Sequence, residues 1–394
     1  MKIGLYGGTF NPIHLGHMGA AKAAARYLGL DRLFLIPAGI PPHKAMKENM
    51  AEHRLAMTRL AAESMGLDGR VEVLDLELER EGKSYTLDTV RALKKDYPED
   101  QLYLLMGTDM FFSFQNWYGP REIGELCTLA AFSREKSDDP RRFEEQKRLL
   151  RETVGAETVL VPLREVREVS STELREELKN GRGQDLLCPA VYGYILREGL
   201  YGVEKDLRQL SLEDLRAAAL SMLKGKRIPH VLGTEATAAK LALRWGADEE
   251  TARRAALLHD CTKKLTREQH LALCRQYGIE IDEEEEREEQ LLHGASGSGV
   301  ARNVFGLGED AVQAIRWHTI GRGEMTLLDK IIYLADYIEP TRDHCDLTEL
   351  RELSMRDLDK AVLTALEMSA AHLKTQGKAP HPNSVSARDH LKGN

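Results

Sequence analysis

The sequence has no apolar run approaching the ~18 residues that a membrane-spanning helix needs, which excludes a helical membrane protein. It has only five cysteines, Cys127, Cys188, Cys261, Cys274 and Cys345. They are odd in number, widely spaced and form no C-x-x-C pair, which excludes a disulfide framework or zinc knuckle and predicts a reduced, cytoplasmic protein. Met1 to Phe10 lack a charged segment followed by an apolar one, so no signal peptide is expected. Positive charge is not in excess either: 55 Lys and Arg stand against 63 Asp and Glu, for a net charge of −8. That argues against a general nucleic-acid binder and leaves room only for a local basic pocket. What is present is ordinary globular composition over 394 residues, 42% apolar and 30% charged, enough for two or three domains with a core in each half.

The first half alternates short apolar runs with helical patterns. Strands are expected at Lys2–Tyr6, Arg32–Pro37, Val71–Leu78, Gln101–Met106, Cys127–Phe132 and Glu157–Val161, and helices at Met18–Leu28, Arg54–Ser64 and Thr86–Lys95. This alternation predicts βαβ units, hence an α/β domain with a Rossmann-like parallel sheet and a ligand site beyond the carboxyl ends of the strands. From Leu212 onward strand runs vanish and an all-α domain is expected, with helices at Leu212–Leu223, Thr234–Trp245, Glu249–His259, Arg267–Tyr277, Glu309–Trp317, Leu327–Ile338 and Asp357–Thr375. The division read from this is a first domain over 1–202, a linker over 203–211 and a second domain over 212–394. The acidic run Asp282–Glu289 reads as a solvated helix face or exposed loop.

Residues 7–17, GGTFNPIHLGH, lie between a strand and a helix. Gly7 and Gly8 allow close backbone approach to a ligand, and the helix start offers free N–H groups and a positive dipole end. His14 and His17, three apart, can donate hydrogen bonds to phosphate oxygens. The string resembles the (T/H)-x-G-H signature of the nucleotidyltransferase superfamily, and in particular nicotinate-mononucleotide adenylyltransferases. Further segments extend the resemblance over 1–202: Pro41-Pro42-His43-Lys44, Ser84-Tyr85-Thr86-Leu87-Asp88-Thr89, Gly107-Thr108-Asp109, Trp117, Ser170-Ser171-Thr172-Glu173-Leu174-Arg175, and a closing helix in Val191–Tyr201. The resemblance implies AMP transfer from ATP, with its Mg²⁺, to nicotinate mononucleotide, giving deamido-NAD and pyrophosphate. It assigns His14, His17, Lys44 and Arg175 to the phosphates. It assigns Gly7, Gly8, Thr9, Phe10, Tyr85, Thr86, Asp88, Gly107, Asp109, Trp117, Ser171 and Thr172 to substrate binding. The residues carry the same sense unaided, since Ser171 and Thr172 at a helix start can face an anion and Arg175 offers a forked donor. Taken alone, Trp117 and Arg175 read first as a core side chain and half of a surface ion pair, and Asp109 reads equally as a helix cap.

The second half carries His230, His259-Asp260, His293, His318 and Asp336. Asp336 lies in an apolar helix, LLDKIIYLADYI, where a carboxylate needs a partner or a cation. Mixed nitrogen and oxygen ligands suit iron, manganese or zinc. The strings RIPH, LLHDCTK, LLHG, RWHTIG and LADYIEPTR, in this order, resemble the dinuclear branch of the HD phosphohydrolases and its symmetrical diadenosine tetraphosphate hydrolases. The resemblance implies that the six residues hold two transition metals, with iron favoured, and that Asp260 is also catalytic. Lys263 and Arg322 are plausible phosphate contacts, with a solvated surface charge as the other reading. Ile320 stands where a second threonine is expected. The partners so implied are ATP, nicotinate mononucleotide and diadenosine tetraphosphate, with no nucleic acid or membrane, and homo-oligomerisation is left open. A regulatory nucleotide-binding role for the helical domain, or hydrolysis of a guanosine alarmone, are the alternatives.

Overall fold

A computed structural model describes every residue except 40–49, 68, 81, 134–138, 164–168, 344 and 394. Lys44 and the rest of its Pro41–Lys44 segment therefore lie outside the described residues. The chain divides into two compact units, one of Met1–Val191 with Tyr201–Val203, the other of Tyr192–Leu200 with Glu204–Asn394. Among the described residues no helix is long and apolar enough to cross a membrane.

The first unit is built on six strands, β1 (Lys2–Gly8), β2 (Arg32–Pro37), β3 (Val71–Val73), β4 (Gln101–Met106), β5 (Thr128–Ser133) and β6 (Thr158–Pro162). All pair in parallel, in the order β3-β2-β1-β4-β5-β6. Helices α1 (Leu15–Leu28), α2 (Met50–Glu63), α3 (Thr86–Asp96), α4 (Thr108–Ser113), α5 (Pro120–Leu126), α6 (Pro140–Val154) and α7 (Ser171–Lys179) accompany them, and α8 (Pro189–Arg197) starts in this unit and passes into the second at Tyr192. Consecutive burial of residues 3–6, 33–37, 102–106 and 129–132 shows a sheet covered on both faces, which is why these strands read as apolar runs rather than alternations. The strand order reverses between β1 and β4, so the loops leaving Gly8 and Met106 flank the crevice where such sheets bind ligands.

One strand is shorter than its sequence pattern. Val71–Leu78 alternates throughout, yet β3 ends at Val73 and Leu78 N–H turns back to the Asp75 carbonyl at 2.7 Å. β3 is an edge strand whose only neighbour, β2, ends at Pro37, and proline offers no N–H to extend the ladder.

The second unit is helical: α9 (Leu212–Ser221), α10 (Ile228–Trp245), α11 (Glu249–Leu258), α12 (Arg267–Tyr277), α13 (Glu283–Arg287), α14 (Leu292–Asn303), α15 (Glu309–Trp317), α16 (Leu327–Ile338), α17 (Thr348–Ser354), α18 (Leu358–Thr375) and α19 (Pro382–Gly393). Pro229 in the first turn of α10 suits a helix start, and α10 begins before the expected start at Thr234, so His230 lies on the helix. Helix α14 has no counterpart in the periodicity, because its GASGSG composition disfavours helix. Packing explains it: a Cβ on Gly294 would press on the Arg316 carbonyl at 2.9 Å, and one on Gly299 on the Tyr277 ring at 2.8 Å. These glycines let α14 approach α15 and α12 closely. The acidic run forms α13 and is mostly exposed, but Glu285 is buried and takes the Arg316 guanidinium in two hydrogen bonds, one of 2.7 Å.

Candidate functional sites

In the first unit β1 leads through Gly7 and Gly8 into α1. A Cβ on Gly8 would meet the buried Phe10 ring at 2.8 Å, whereas one on Gly7 would meet nothing within 4 Å. Phe10 adopts a positive φ of 46°, rare for a bulky residue, and its ring packs edge-on to Tyr6 and His17. Thr9 presents its carbonyl to Arg54, a fully buried side chain of α2, at 2.8 Å. No sequence feature had marked Arg54, which sits at an ordinary helical position.

His14 caps α1. Its Nδ1 accepts from the His17 N–H at 3.4 Å, and His17 Nδ1 accepts from the His14 N–H at 3.3 Å. The rings stack with centroids 3.7 Å apart. Burial lowers the His14 imidazole to about 4 and His17 to about 3, the latter helped by its neighbour. Both rings are therefore neutral near pH 7. With Nδ1 accepting, each carries its proton on Nε2 and has that donor free for an anion.

Segment Ser170–Arg175 reaches the same loop. Ser170 caps α7 through its hydroxyl, so Ser171 and Thr172 are the first helical residues rather than the cap. Ser171 Oγ donates to the Pro12 carbonyl at 3.4 Å. Arg175 donates from Nη1 to the Asn11 carbonyl at 2.8 Å and from Nη2 to Thr172 Oγ1 at 3.2 Å. Tyr201 reinforces the loop through a 2.5 Å hydrogen bond to Asn11 Oδ1. Gly107 caps α4 with Asp109 in its first turn, so Asp109 is not the cap. Tyr85 precedes α3, which Thr86 begins, and Asp88 lies 3.8 Å from Arg91. The Tyr85 ring is 4.8 Å from that of the exposed Tyr118, which brings this segment beside Trp117. Trp117 is half-buried against the core with its ring 5.2 Å from Phe114.

In the second unit all six expected metal residues converge. They form three overlapping groups, His230-His259-Asp260, His259-His318-Asp336 and Asp260-His293-His318, with ligand atoms in each within 4.8 Å of one another. His230 comes from α10, His259 and His318 from the ends of α11 and α15, His293 from α14 and Asp336 from α16. Three of the histidines donate Nδ1–H to the carbonyl three residues back: His259 to Ala256 at 2.6 Å, His293 to Gln290 at 2.6 Å and His318 to Ile315 at 2.7 Å. His230 Nδ1 instead faces Glu339 Oε1 at 3.0 Å. Each bond fixes the proton on Nδ1 and aims a bare Nε2 inward.

These inward atoms are all acceptors. His230 and His259 Nε2 are 3.3 Å apart, His293 and His318 Nε2 are 3.0 Å apart, and Asp336 Oδ1 lies 3.0 Å from His230 Nε2. Burial lowers the pKa of His259, His293 and His318, the last to about 3. Burial alone would raise Asp336, but the Arg342 guanidinium, donating to it at 2.7 Å, helps hold it below the usual carboxylate range. Imidazole Nε2 lone pairs converging with the carboxylates of Asp260 and Asp336 fit a divalent cation.

Cationic side chains rim the cluster. Arg227 pairs with Asp260 and Arg342 with Asp336, the latter at 2.7 Å. Lys263 Nζ stands 3.1 Å from both nitrogens of His293, and burial with Arg227 nearby lowers it to about 8. Thr319 Oγ1 is 3.1 Å from His318 Nε2. Arg322 forks onto the buried Asp329 at 2.8 and 2.7 Å, which gives it a partner at the start of α16. Sequence reasoning missed Arg227, Glu339 and Arg342 as site residues, although RIPH and LADYIEPTR contain all three.

A Cytidylyltransferase-like family model matches residues 5–177 and an HD domain model matches residues 227–341. The probable nicotinate-nucleotide adenylyltransferase of Thermus thermophilus is 41% identical over 204 residues, 51% of this chain and 100% of the relative. That of Maridesulfovibrio salexigens is 35% identical over 209 residues, 50% of this chain and 95% of the relative. Among solved structures, a "predicted HD superfamily hydrolase involved in NAD metabolism" from Clostridium acetobutylicum is similar at 39% identity over 47% of this chain and 98% of that one, with a TM-score of 0.45. Through its first unit the chain belongs to the nicotinate-nucleotide adenylyltransferase family, and it carries an HD domain in its second.

Proposed function

We propose that the first unit transfers AMP from ATP to nicotinate mononucleotide, forming deamido-NAD and pyrophosphate. The observation that carries this reading is the junction of two segments distant in sequence, where Arg175 and Ser171 bind the carbonyls of Asn11 and Pro12 beside the histidine pair. In this reading the 5′-phosphate of nicotinate mononucleotide attacks the α-phosphorus of ATP, and pyrophosphate leaves with the Mg²⁺ that accompanied the nucleotide. His14 and His17 donate Nε2–H to phosphate oxygens. Arg175 and Lys44 add positive charge, and Gly7 and Gly107 leave room for the chains of phosphate and sugar. Catalysis then rests on holding two anions in line and neutralising charge on the leaving group. Tyr85, Thr86 and Trp117 shape the site for the pyridine ring, supported by the likeness to the adenylyltransferases. A steady-state comparison tests this: kcat/KM for nicotinate mononucleotide should far exceed that for phosphopantetheine, and the reverse order would refute it.

For the second unit we infer a metal-dependent hydrolase that cuts diadenosine tetraphosphate into two ADP. His230, His259, Asp260, His293, His318 and Asp336 would hold two metals, iron being the metal proposed. When bound, the pair supplies Lewis-acid polarisation of a phosphate and activation of water. The chain's own residues do the rest: three backbone carbonyls and Glu339 orient the imidazoles, and Lys263 meets a phosphate oxygen next to His293. Arg322 is the weaker phosphate candidate, because releasing Asp329 would strand a buried carboxylate.

A further inference from the structure

A cavity of about 400 Å³ shares Lys263 and His293 with the metal centre. Its other walls include Leu265, His270, Glu288 and Gln290. This volume suits a small ligand. His270 is buried and plays no part in the metal cluster.

The hydrogen-bond relay behind His270 fixes its tautomer. Thr262 Oγ1 donates to the His293 carbonyl at 3.1 Å, so it must accept from Ser296, whose Oγ donates to it at 2.9 Å. A hydroxyl has one proton. Ser296 Oγ has therefore only a lone pair left for His270 Nδ1, 2.7 Å away. His270 carries its proton on Nδ1, and Nε2, on the ring's other edge, is a bare acceptor without a partner among the described residues. Burial and the nearby Lys263 lower the His270 pKa, which keeps the ring in this neutral form.

The cavity's charges point the same way. Lys263 is the one cation among the described lining residues, and it stands against His293. The remaining polar wall offers the carboxylates of Glu288, which also holds Lys378 at 2.7 Å, and of Glu289. A phosphate is favoured beside Lys263 and disfavoured against those carboxylates and a bare Nε2. An uncharged group with hydroxyl or amino donors is favoured there instead.

We propose that this cavity is the subsite for a nucleoside portion of the substrate, in which His270 Nε2 accepts a hydrogen bond from a sugar hydroxyl or base amino group. The proposal rests on the reading of the second unit as a nucleotide hydrolase. His270 is then a substrate-positioning residue and the relay through Ser296 and Thr262 sets its acceptor.

Two variants of the full, metal-loaded chain test it. In His270→Gln the amide oxygen can stand where Nε2 stood, whereas His270→Met keeps the bulk and removes the acceptor. His270→Met should raise KM for diadenosine tetraphosphate about tenfold, as for one lost hydrogen bond, with kcat and metal content little changed. His270→Gln should recover most of the loss. Equal KM in wild type and His270→Met, or equal damage in both variants together with metal loss, would overturn the proposal. A second readout does not need turnover. In the zinc-loaded, ¹⁵N-histidine-labelled chain, the His270 Nε2 resonance, identified by its absence from His270→Gln, should shift when ADP is added. If the wild type hydrolyses nothing, the hydrolase reading fails and this resonance decides the subsite by itself: an unmoved resonance at saturating ADP removes it.

Discussion

Replacing Glu339 by glutamine changes almost no volume and should still disable the metal centre. The carboxylate is fully buried. Its Oε1 faces His230 Nδ1 at 3.0 Å and accepts from Thr341 Oγ1 at 2.6 Å, while its Oε2 accepts from the Thr341 N–H at 2.7 Å. All three neighbours donate to it. An amide has one oxygen, so its NH₂ must face donors on one side. If NH₂ faces Thr341, the Thr341 N–H loses its acceptor and the buried amide meets a donor instead, which lowers the stability of the variant. If NH₂ faces His230, Nδ1 must become the acceptor, the proton moves to Nε2, and the ligand lone pair aimed at Asp336 and His259 is lost. Gly233, one turn along α10 from His230, leaves no slack, because even a Cβ there would run into Glu339 Oε2. Outer partners of metal-bound histidines are typically worth about 10–100-fold in metal affinity, or about 1.4–2.7 kcal/mol by the tenfold rule. A competitive metal titration of Glu339→Gln should show a loss in that range, with adenylyl transfer unchanged. Unaltered metal affinity together with unaltered stability in a folded variant would refute the assignment of Nδ1–H to Glu339 and with it the tautomer argument for the cluster.

Other expectations follow from the first site. His17→Ala removes one Nε2–H donor and should lower kcat for adenylyl transfer by about 10²–10³, measured on purified variant whose circular dichroism matches wild type; near-normal turnover would remove His17 from the chemistry. His14 should remain neutral at pH 5.5, with its proton on Nε2, and ¹⁵N NMR showing a midpoint near the free-histidine value would contradict that. Its folded pKa of about 4 lies below the unfolded value of about 6.5, so the unfolded chain binds the extra proton first. Stability linked to His14 is thus present above pH 6.5 and is lost as the pH falls toward 4, by an order of about 3 kcal/mol. His14→Gln should flatten that part of a urea-denaturation series against pH.

Much of this was legible in the sequence. The parallel sheet follows from apolar runs of strand length separated by helical patterns, and β2, β4, α12, α15 and α16 fall on the expected residues. The six convergent His and Asp residues were legible because their types and local strings are specific. Illegible were the features set by tertiary packing. Helix α14 hides behind glycines whose value appears only against Arg316 and Tyr277. The end of β3 depends on the proline in its neighbour. Glu285 reads as one acid among many until Arg316 is seen beside it. Arg54 and Glu339 are single polar residues in otherwise helical text, and only the three-dimensional partners, the Thr9 carbonyl and His230, give them roles.

The central claim is two separate chemistries on one chain, and one chromatographic measurement tests it directly. The full, metal-loaded protein and its Asp260→Ala variant are each given ATP with nicotinate mononucleotide, and in a second vessel diadenosine tetraphosphate, and the nucleotide products are resolved. The account predicts deamido-NAD from both proteins, ADP as the only hydrolysis product of the wild type, and no ADP from Asp260→Ala. Absence of deamido-NAD, appearance of AMP with ATP, or undiminished ADP formation by Asp260→Ala would contradict it.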